Sequence, residues 1–453
     1  MLSIVILAAG QGTRMRSAMP KVLHGVGGRP MLQRVIDTAR SLEPAAIHIV
    51  HGYGGQDVRA AFPDGDLNWV EQEKQLGTAD AVHAALPVIP DDHRVLVLCG
   101  DVPLIAAETL HRLLDRAGYN PALLTIEMAD PTGYGRILRD PDGQVSGIVE
   151  DKDAQEDQKA IREINTGLMV LPAGPLRRWL ADLSNDNAQG EYYLTDVMAS
   201  ARRDGSAIHA VTTDSASEVQ GVNNRVQLAV VERAWQWRIA EGLMRGGVTL
   251  ADPARLDVRG SVTTGTDCVI DVDVVLEGEV RLGTDVAIGS GCVIRDATLD
   301  DGVRVAPQTV IEGARLRAGA QVGPFARLRQ ETDLGPATRI GNFVETKALT
   351  LGRGSKANHL AYVGDARIGE GVNIGAGTIT CNYDGRAKHT TVIEDGAFIG
   401  SDTQLIAPVT VGRNATIGAG TSLRRDAPAD ALTVGTGRQR TVPGWSRDPD
   451  ASS

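Results

Sequence analysis

The chain has 453 residues and a formal net charge of −11 with no long basic run, which argues against a nucleic-acid partner. Apolar content is ordinary at 42%, aromatics are scarce at 4%, and 52 glycines point to many tight turns spread over two or three domains. The four cysteines form no CxxC pair, which speaks against a disulfide framework or a cysteine-held metal, and no apolar run is long enough for membrane insertion.

The N-terminus, Met1-Leu2-Ser3-Ile4-Val5, has no basic lead and no cleavage site; it reads as a first strand, and a cytoplasmic location is expected. Up to about residue 225, strand-like runs at Ser3–Leu7, Ala46–Val50 and Val95–Leu98 alternate with helical patterns over Pro30–Arg40 and Ala79–Leu86. Such alternation predicts a parallel sheet with helices on its faces. Val226, Val230, Ala234 and Trp237 then recur at helical spacing, and Gly246-Gly247 is a stop, so a linker helix is expected over 226–247.

From about residue 250 the period changes to six. Ile270, Leu276, Leu282, Ile288 and Ile294 keep it, as do Val322, Leu328, Leu334 and Ile340, and again Ile393, Ile399, Leu405, Val411, Ile417 and Leu423. That period suits neither a helix nor a lone strand pair. It suits a triangular solenoid in which each hexapeptide makes a short strand and a corner. Thr380-Cys381-Asn382-Tyr383-Asp384-Gly385 breaks the register and predicts a projecting loop. A prism of this kind presents flat faces, and cyclic closure into a homotrimer is the expected assembly.

Two clusters of residues carry chemistry. Leu7-Ala8-Ala9-Gly10-Gln11-Gly12-Thr13-Arg14 follows the first strand, with Pro20-Lys21 beyond it. Glycines let a backbone approach phosphate, and Arg14 and Lys21 add cations suited to a triphosphate. Asp101, after the Val95–Leu98 strand, is a hard oxygen ligand at the carboxyl end of a strand. Asn223 stands where the N-cap of the linker helix is expected. On the prism, Arg327-Leu328-Arg329, Gly341-Asn342-Phe343-Val344-Glu345-Thr346-Lys347, His359, Tyr362 and Asn373 lie within a few hexapeptides of one another.

The string from Leu7 to Arg14 with Pro20-Lys21 resembles the signature of nucleoside-diphosphate-sugar pyrophosphorylases. That resemblance implies UTP binding by Leu7, Ala8, Ala9, Gly10 and Lys21, with Arg14 and Lys21 as catalytic cations. It implies base recognition around Gln72, Gln75, Gly77 and Thr78, and sugar contacts from Gly135, Glu150 and Asn165, with Tyr192 and Thr195 nearby. It also implies Mg²⁺ on Asp101 and Asn223, the latter within Gly221-Val222-Asn223. The family has tyrosine-glycine-aspartate where this chain has Cys99-Gly100-Asp101. From Leu2 to about Trp445 the chain is similar to the bacterial bifunctional N-acetylglucosamine-1-phosphate uridyltransferase/glucosamine-1-phosphate N-acetyltransferases.

By that similarity Arg329, Lys347, Tyr362 and Asn373 bind glucosamine 1-phosphate, and His359 is the general base, with Glu345 orienting it or acting in its place. Asn382, Tyr383, Ser401 and Ala419 contact acetyl-CoA, joined by Arg438 or Arg440. The expected fold is an α/β Rossmann-like nucleotidyltransferase domain over 1–225, the linker helix over 226–247, and a left-handed parallel β-helix of hexapeptide repeats over 248–453. The alternative is a single-activity sugar-1-phosphate nucleotidyltransferase whose β-helix is structural or regulatory. A zinc prism is disfavoured, because that region holds only His359 and His389 without a triad spacing.

Overall fold

The computed structural model describes residues 1–435, 437 and 441–443. The chain divides into two compact units, Met1–Gln236 and Trp237–Ser453.

The first unit is built on one nine-stranded sheet. Its strands are β1 (Leu2–Ala8), β2 (Ala46–His51), β3 (Leu67–Glu71), β4 (Arg94–Cys99), β5 (Ala122–Glu127), β6 (Arg136–Arg139), β7 (Val145–Val149), β8 (Glu163–Pro172) and β9 (His209–Thr212). The main order is β9-β5-β8-β4-β1-β2-β3, with the β6–β7 hairpin joined to β8. Both faces are covered, so the central strands are apolar throughout. Ile4 and Ile6 of β1 and Leu96 and Leu98 of β4 point to one core. Val5, Val95 and Val97, one residue out of phase, point to the other. Helix α1 (Met31–Arg40) packs on the first face through Leu32, Val35 and Ile36, and α2 (Thr78–Ala85) on the second through Ala81, Val82 and Ala85.

The expected strands and helices lie within a residue of those observed. The sheet expected to be parallel is so along β4-β1-β2-β3 and at β9–β5, with one difference in its main order: β8 runs antiparallel to both β4 and β5. Glu163 enters β8 opposite Glu127, the residue at which β5 ends. The chain returns there through the β6–β7 hairpin rather than crossing over the sheet, so the next strand runs back.

Helix α3 (Arg225–Arg245) occupies the stretch expected to be helical. Its N-cap is Asn224, whose Oδ1 accepts from the Gln227 amide at 2.9 Å. In turn Gln227 Oε1 accepts from the Asn223 amide at 2.7 Å. Asn223 therefore does not cap the helix with its own side chain, which is left to face the site.

The second unit is a parallel β-helix. Short strands of two to four residues, from Thr249–Leu250 to Leu432–Thr433, form one flat sheet of eleven strands, and a fourteen-stranded sheet wraps the remainder. Three hexapeptides make a coil, so Ile270 stacks on Ile288, Ile288 on Val305, and Val305 on Val322, each 17 or 18 residues along. The inward aliphatics fill a single continuous core. Left-handed backbone turns one corner of the prism: Gly278, Asp296, Gly313, Glu331, Ala348 and Asp365 recur there with φ between 44° and 66°. The predicted break is real. Ile374 stacks on Ile399, 25 residues on, and the extra chain projects as a loop closed by the Tyr383–Lys388 bridge.

Candidate functional site

In the first unit the chain leaves β1, runs to β2 and β3 on one side, and returns to β4 on the other side of β1. The carboxyl ends of β1 and β4 therefore flank the point where strand order reverses, the usual crevice for ligands in such sheets. A cleft of about 520 Å³ opens there, lined by the 7–14 loop, Lys21, Gln72, Gln75, Gly77, Thr78, Cys99, Asp101 and Asn223. The loop is shaped by Gly12, at φ 62°, where a Cβ would stand 2.7 Å from Lys21 Cβ. Only glycine turns the chain here without pushing Lys21 out of the cleft.

The polar groups converge. Lys21 Nζ donates to Asp101 Oδ2 at 2.5 Å and to Asn223 Oδ1 at 3.2 Å, and Arg14 donates to the same Asn223 oxygen at 2.9 Å. The Val222 amide donates to the Asp101 carbonyl at 3.0 Å, which brings Asn223 beside the aspartate. Two hard oxygens, one anionic, thus aim at one point, where Lys21 and Arg14 now occupy them. That donor set fits a divalent cation such as Mg²⁺. Cys99 lines the same wall; burial, with the neighbouring Asp101 carboxylate, pushes its thiol up to about 12, so it is a neutral group here.

On another wall of the cleft, Gln72 Nε2 is held by the Gly77 carbonyl at 3.1 Å and Asp80 at 2.7 Å. Gly77, at φ 126°, lies so close to the Tyr192 backbone that any side chain would collide with it. Thr78 fixes the facing segment by accepting from the Leu194 amide at 3.0 Å. Farther along, Thr195 donates to Glu150 Oε1 at 3.0 Å. Burial, with Asp196, Asp153 and Asp151 nearby, raises the Glu150 carboxyl above the usual range. Gly135 faces Glu150, with its Cβ position 3.4 Å from the carboxylate oxygens. Gly135 also binds the Asn165 amide through its carbonyl at 2.8 Å. Leu7 to Gly10, Arg14, Lys21, Gln72, Gln75, Gly77, Thr78, Asp101 and Asn223 thus line the cleft, whereas Gly135, Glu150 and Asn165 form a group outside that lining, with Thr195 on Glu150.

The second cluster sits on successive coils of the β-helix. Arg329 donates to Glu345 at 3.0 Å, one coil on. Lys347 is held below the usual lysine range by the Lys388 ammonium beside it, with Arg329 contributing. Three cations gather around one spot, offset by Glu345 on Arg329 and by the Asp365 carboxylate near the two lysines, and the excess positive charge suits an anion. Tyr362 Oη accepts from Asn382 Nδ2 at 3.3 Å, and Asn382 also donates to Asp365 at 2.5 Å. His359 is exposed, and its Nδ1 lies 2.8 Å from Asn342 Oδ1. Asn373 pairs in register with Lys356 on the flat sheet.

One placement differs from expectation. Glu345 hydrogen-bonds Arg329, and Asn342 is the residue at the histidine. Asn382, expected with the acetyl-CoA group, donates to Tyr362 and Asp365. Tyr383 stands exposed on the projecting loop. Ser401 and Ala419 are exposed and occupy consecutive coils, Gly420 donating to the Ser401 carbonyl at 2.8 Å. Arg438 and Arg440 lie outside the described residues. Lys388 was missed from sequence, because a lysine in a loop that breaks the repeat carries no register by which to place it.

Residues 4–141 match the family of MobA-like NTP transferase domains, and residues 390–425 match the bacterial transferase hexapeptide family. The protein is 59% identical over 446 residues to the "Bifunctional protein GlmU" of Alkalilimnicola ehrlichii, covering 98% of this chain and 96% of that one. It is 54% identical to the Marinobacter nauticus protein of the same name, covering 99% of both chains. It is 56% identical to that of Cupriavidus pinatubonensis, covering 98% of both. With the phosphate loop, the converging Lys21–Asp101–Asn223 group and the polar cluster on the β-helix all present in one polypeptide, the chain belongs to the bifunctional GlmU family and is both an N-acetylglucosamine-1-phosphate uridyltransferase and a glucosamine-1-phosphate N-acetyltransferase.

Proposed function

We propose that residues 1–225 carry uridylyl transfer and residues 248–453 acetyl transfer, with 226–247 as linker, and that the two reactions run in series. Glucosamine 1-phosphate is acetylated on the β-helix, and the N-acetylglucosamine 1-phosphate formed is coupled to UTP, giving UDP-N-acetylglucosamine and pyrophosphate.

In acetyl transfer, Arg329, Lys347 and Lys388 hold the sugar phosphate, with Tyr362 and Asn373 along the sugar. His359 takes a proton from the sugar amine, whose nitrogen attacks the thioester carbonyl. The C–S bond breaks, and CoA leaves as a thiolate that takes up a proton. Asn382, Tyr383, Ser401, Ala419 and Arg438 or Arg440 are assigned to the acetyl-CoA side. In uridylyl transfer, a phosphate oxygen of the sugar attacks the α-phosphorus of UTP in line, and the bond to pyrophosphate breaks. No nucleophilic side chain takes part. Arg14, Lys21 and the loop amides from Leu7 to Gly10 hold the phosphates in line and offset their charge. Asp101 and Asn223 would hold Mg²⁺, which when bound neutralises charge on the phosphate oxygens. Gln72, Gly77 and Thr78 take the base, and Gly135, Glu150 and Asn165 the sugar.

The observation that carries this reading is the convergence of Arg14, Lys21, Asp101 and Asn223 from four separate segments on one point at the reversal of strand order. We further propose a cytoplasmic homotrimer assembled through the β-helix. Val269, Phe398 and Leu432 stand exposed along its flat sheet, and no helix among the described residues is long and apolar enough to cross a membrane. The test is an assay with glucosamine 1-phosphate, acetyl-CoA, UTP and Mg²⁺ that follows free thiol and pyrophosphate separately. Pyrophosphate should require acetyl-CoA unless N-acetylglucosamine 1-phosphate is supplied. Pyrophosphate formed from the unacetylated sugar would overturn the order of reactions, and a monomer by light scattering would overturn the assembly.

A further inference from the structure

We infer that Asn342 is a positioning residue that fixes the tautomer of His359, an inference that rests on the assignment of His359 as the base of acetyl transfer. The two residues are register partners on adjacent strands, Arg339–Asn342 and Lys356–His359. Asn342 Oδ1 lies 2.8 Å from His359 Nδ1. An amide oxygen only accepts, so Nδ1 carries the hydrogen and Nε2 keeps the lone pair that a base needs.

The backbone is built for this contact. Gly341 sits against the Asn358 carbonyl so closely that any side chain there would collide with it. The Leu360 amide donates to the Asn342 carbonyl at 3.0 Å, and Phe343 and Leu360, the next residues on each coil, both turn with positive φ, 57° and 46°. Non-glycine residues adopt that conformation at a cost, and it persists here on both sides of the contact. The acidic groups of this region are engaged elsewhere: Glu345 with Arg329, Asp365 with Asn382 and Asp384 with His389. The charged groups of the two strands themselves are Arg339 and Lys356, both on the flat-sheet register. A neutral amide therefore does the orienting that a carboxylate does in many histidine sites. It sets which nitrogen is free without adding a negative charge that would favour the protonated ring.

The test uses Asn342→Ala, Asn342→Asp and His359→Ala in the full chain, with uridylyl transfer as the folding control. Asn342→Ala should lower kcat for acetyl transfer about tenfold to a hundredfold, part of the roughly 10²–10⁴ that a positioned base contributes. KM for glucosamine 1-phosphate should hold. Asn342→Asp should restore most of the rate and move the acidic limb of the kcat/KM profile upward. The double variant Asn342→Ala/His359→Ala should be no slower than His359→Ala alone. An unchanged kcat in Asn342→Ala, a raised KM alone, or an unmoved acidic limb in Asn342→Asp would each overturn the inference. If His359→Ala itself keeps full acetyl transfer, the base assignment fails first, and that outcome is read separately from the other two variants.

Discussion

The two sites are assembled from the chain in opposite ways. In the first unit the decisive contacts span most of the domain: Lys21 to Asp101 closes 80 residues, and Arg14 to Asn223 closes 209. On the β-helix, apart from Lys388 on the projecting loop, they span one coil: Arg329 to Glu345 is 16 residues, and Asn342 to His359 and Asp365 to Asn382 are each 17. The first site exists only once the whole sheet is folded. The second is a local product of stacking, each coil placing its side chains over the previous one. A substitution in the first site should therefore act on a converged set, and one in the second on a single rung.

The sharpest test of that contrast is Asp101→Ala. Removing the only carboxylate of the converged group should cut uridylyl transfer by about a thousandfold or more, the scale of charge stabilisation in a dry site, and leave acetyl transfer intact. Near-normal pyrophosphate release in that variant would break the assignment. His359→Ala is the mirror image: free-thiol release should fall roughly 10²–10⁴-fold while pyrophosphate release from N-acetylglucosamine 1-phosphate is unchanged. A smaller effect is expected of Lys388→Ala, which removes one of three cations. Acetyl transfer should lose about tenfold in kcat/KM, mostly through KM for the sugar phosphate, because charge-assisted contacts to phosphate bind as much as they position.

The mildest effect concerns acid. His48 is 3% exposed on β2, and neither ring nitrogen has a partner. Burial, with His93 nearby, lowers its pKa below the ordinary 6.5. The folded ring stays neutral, whereas the unfolded chain binds a proton as pH falls through that ordinary value. The contribution to stability is thus present above it and is lost on acidification. Calorimetry from about pH 7.5 down to about pH 5 should show the first unit melting earlier, and His48→Leu should flatten that slope. An unaltered slope in His48→Leu would remove His48 as its source.

Much of this was legible in the sequence for reasons that differ between the units. The six-residue period gave the β-helix outright, because every inward aliphatic reports the same corner geometry. The loop from Leu7 to Arg14 was legible because glycines and cations after a strand have few other uses. The antiparallel β8 was not, since strand direction depends on how the chain returns and leaves no mark on the apolar pattern of Leu168–Leu171. Nor was the side-chain placement of Asn223, which the sequence could equally have set at a helix cap. Asn224 and Gln227 take those bonds, and the Asn223 side chain accepts from Arg14 and Lys21.

By itself, then, the sequence determined the two-part architecture, the register of the coils and the residue types at both sites, because periodicity and local backbone demands are written within a few residues. Tertiary structure decided which groups meet where no repeat sets the register. It brought Lys388 beside Lys347 and set Lys21 between Asp101 and Asn223. Those pairings depend on distances in space between segments that share no local signal, and only the packed fold fixes them.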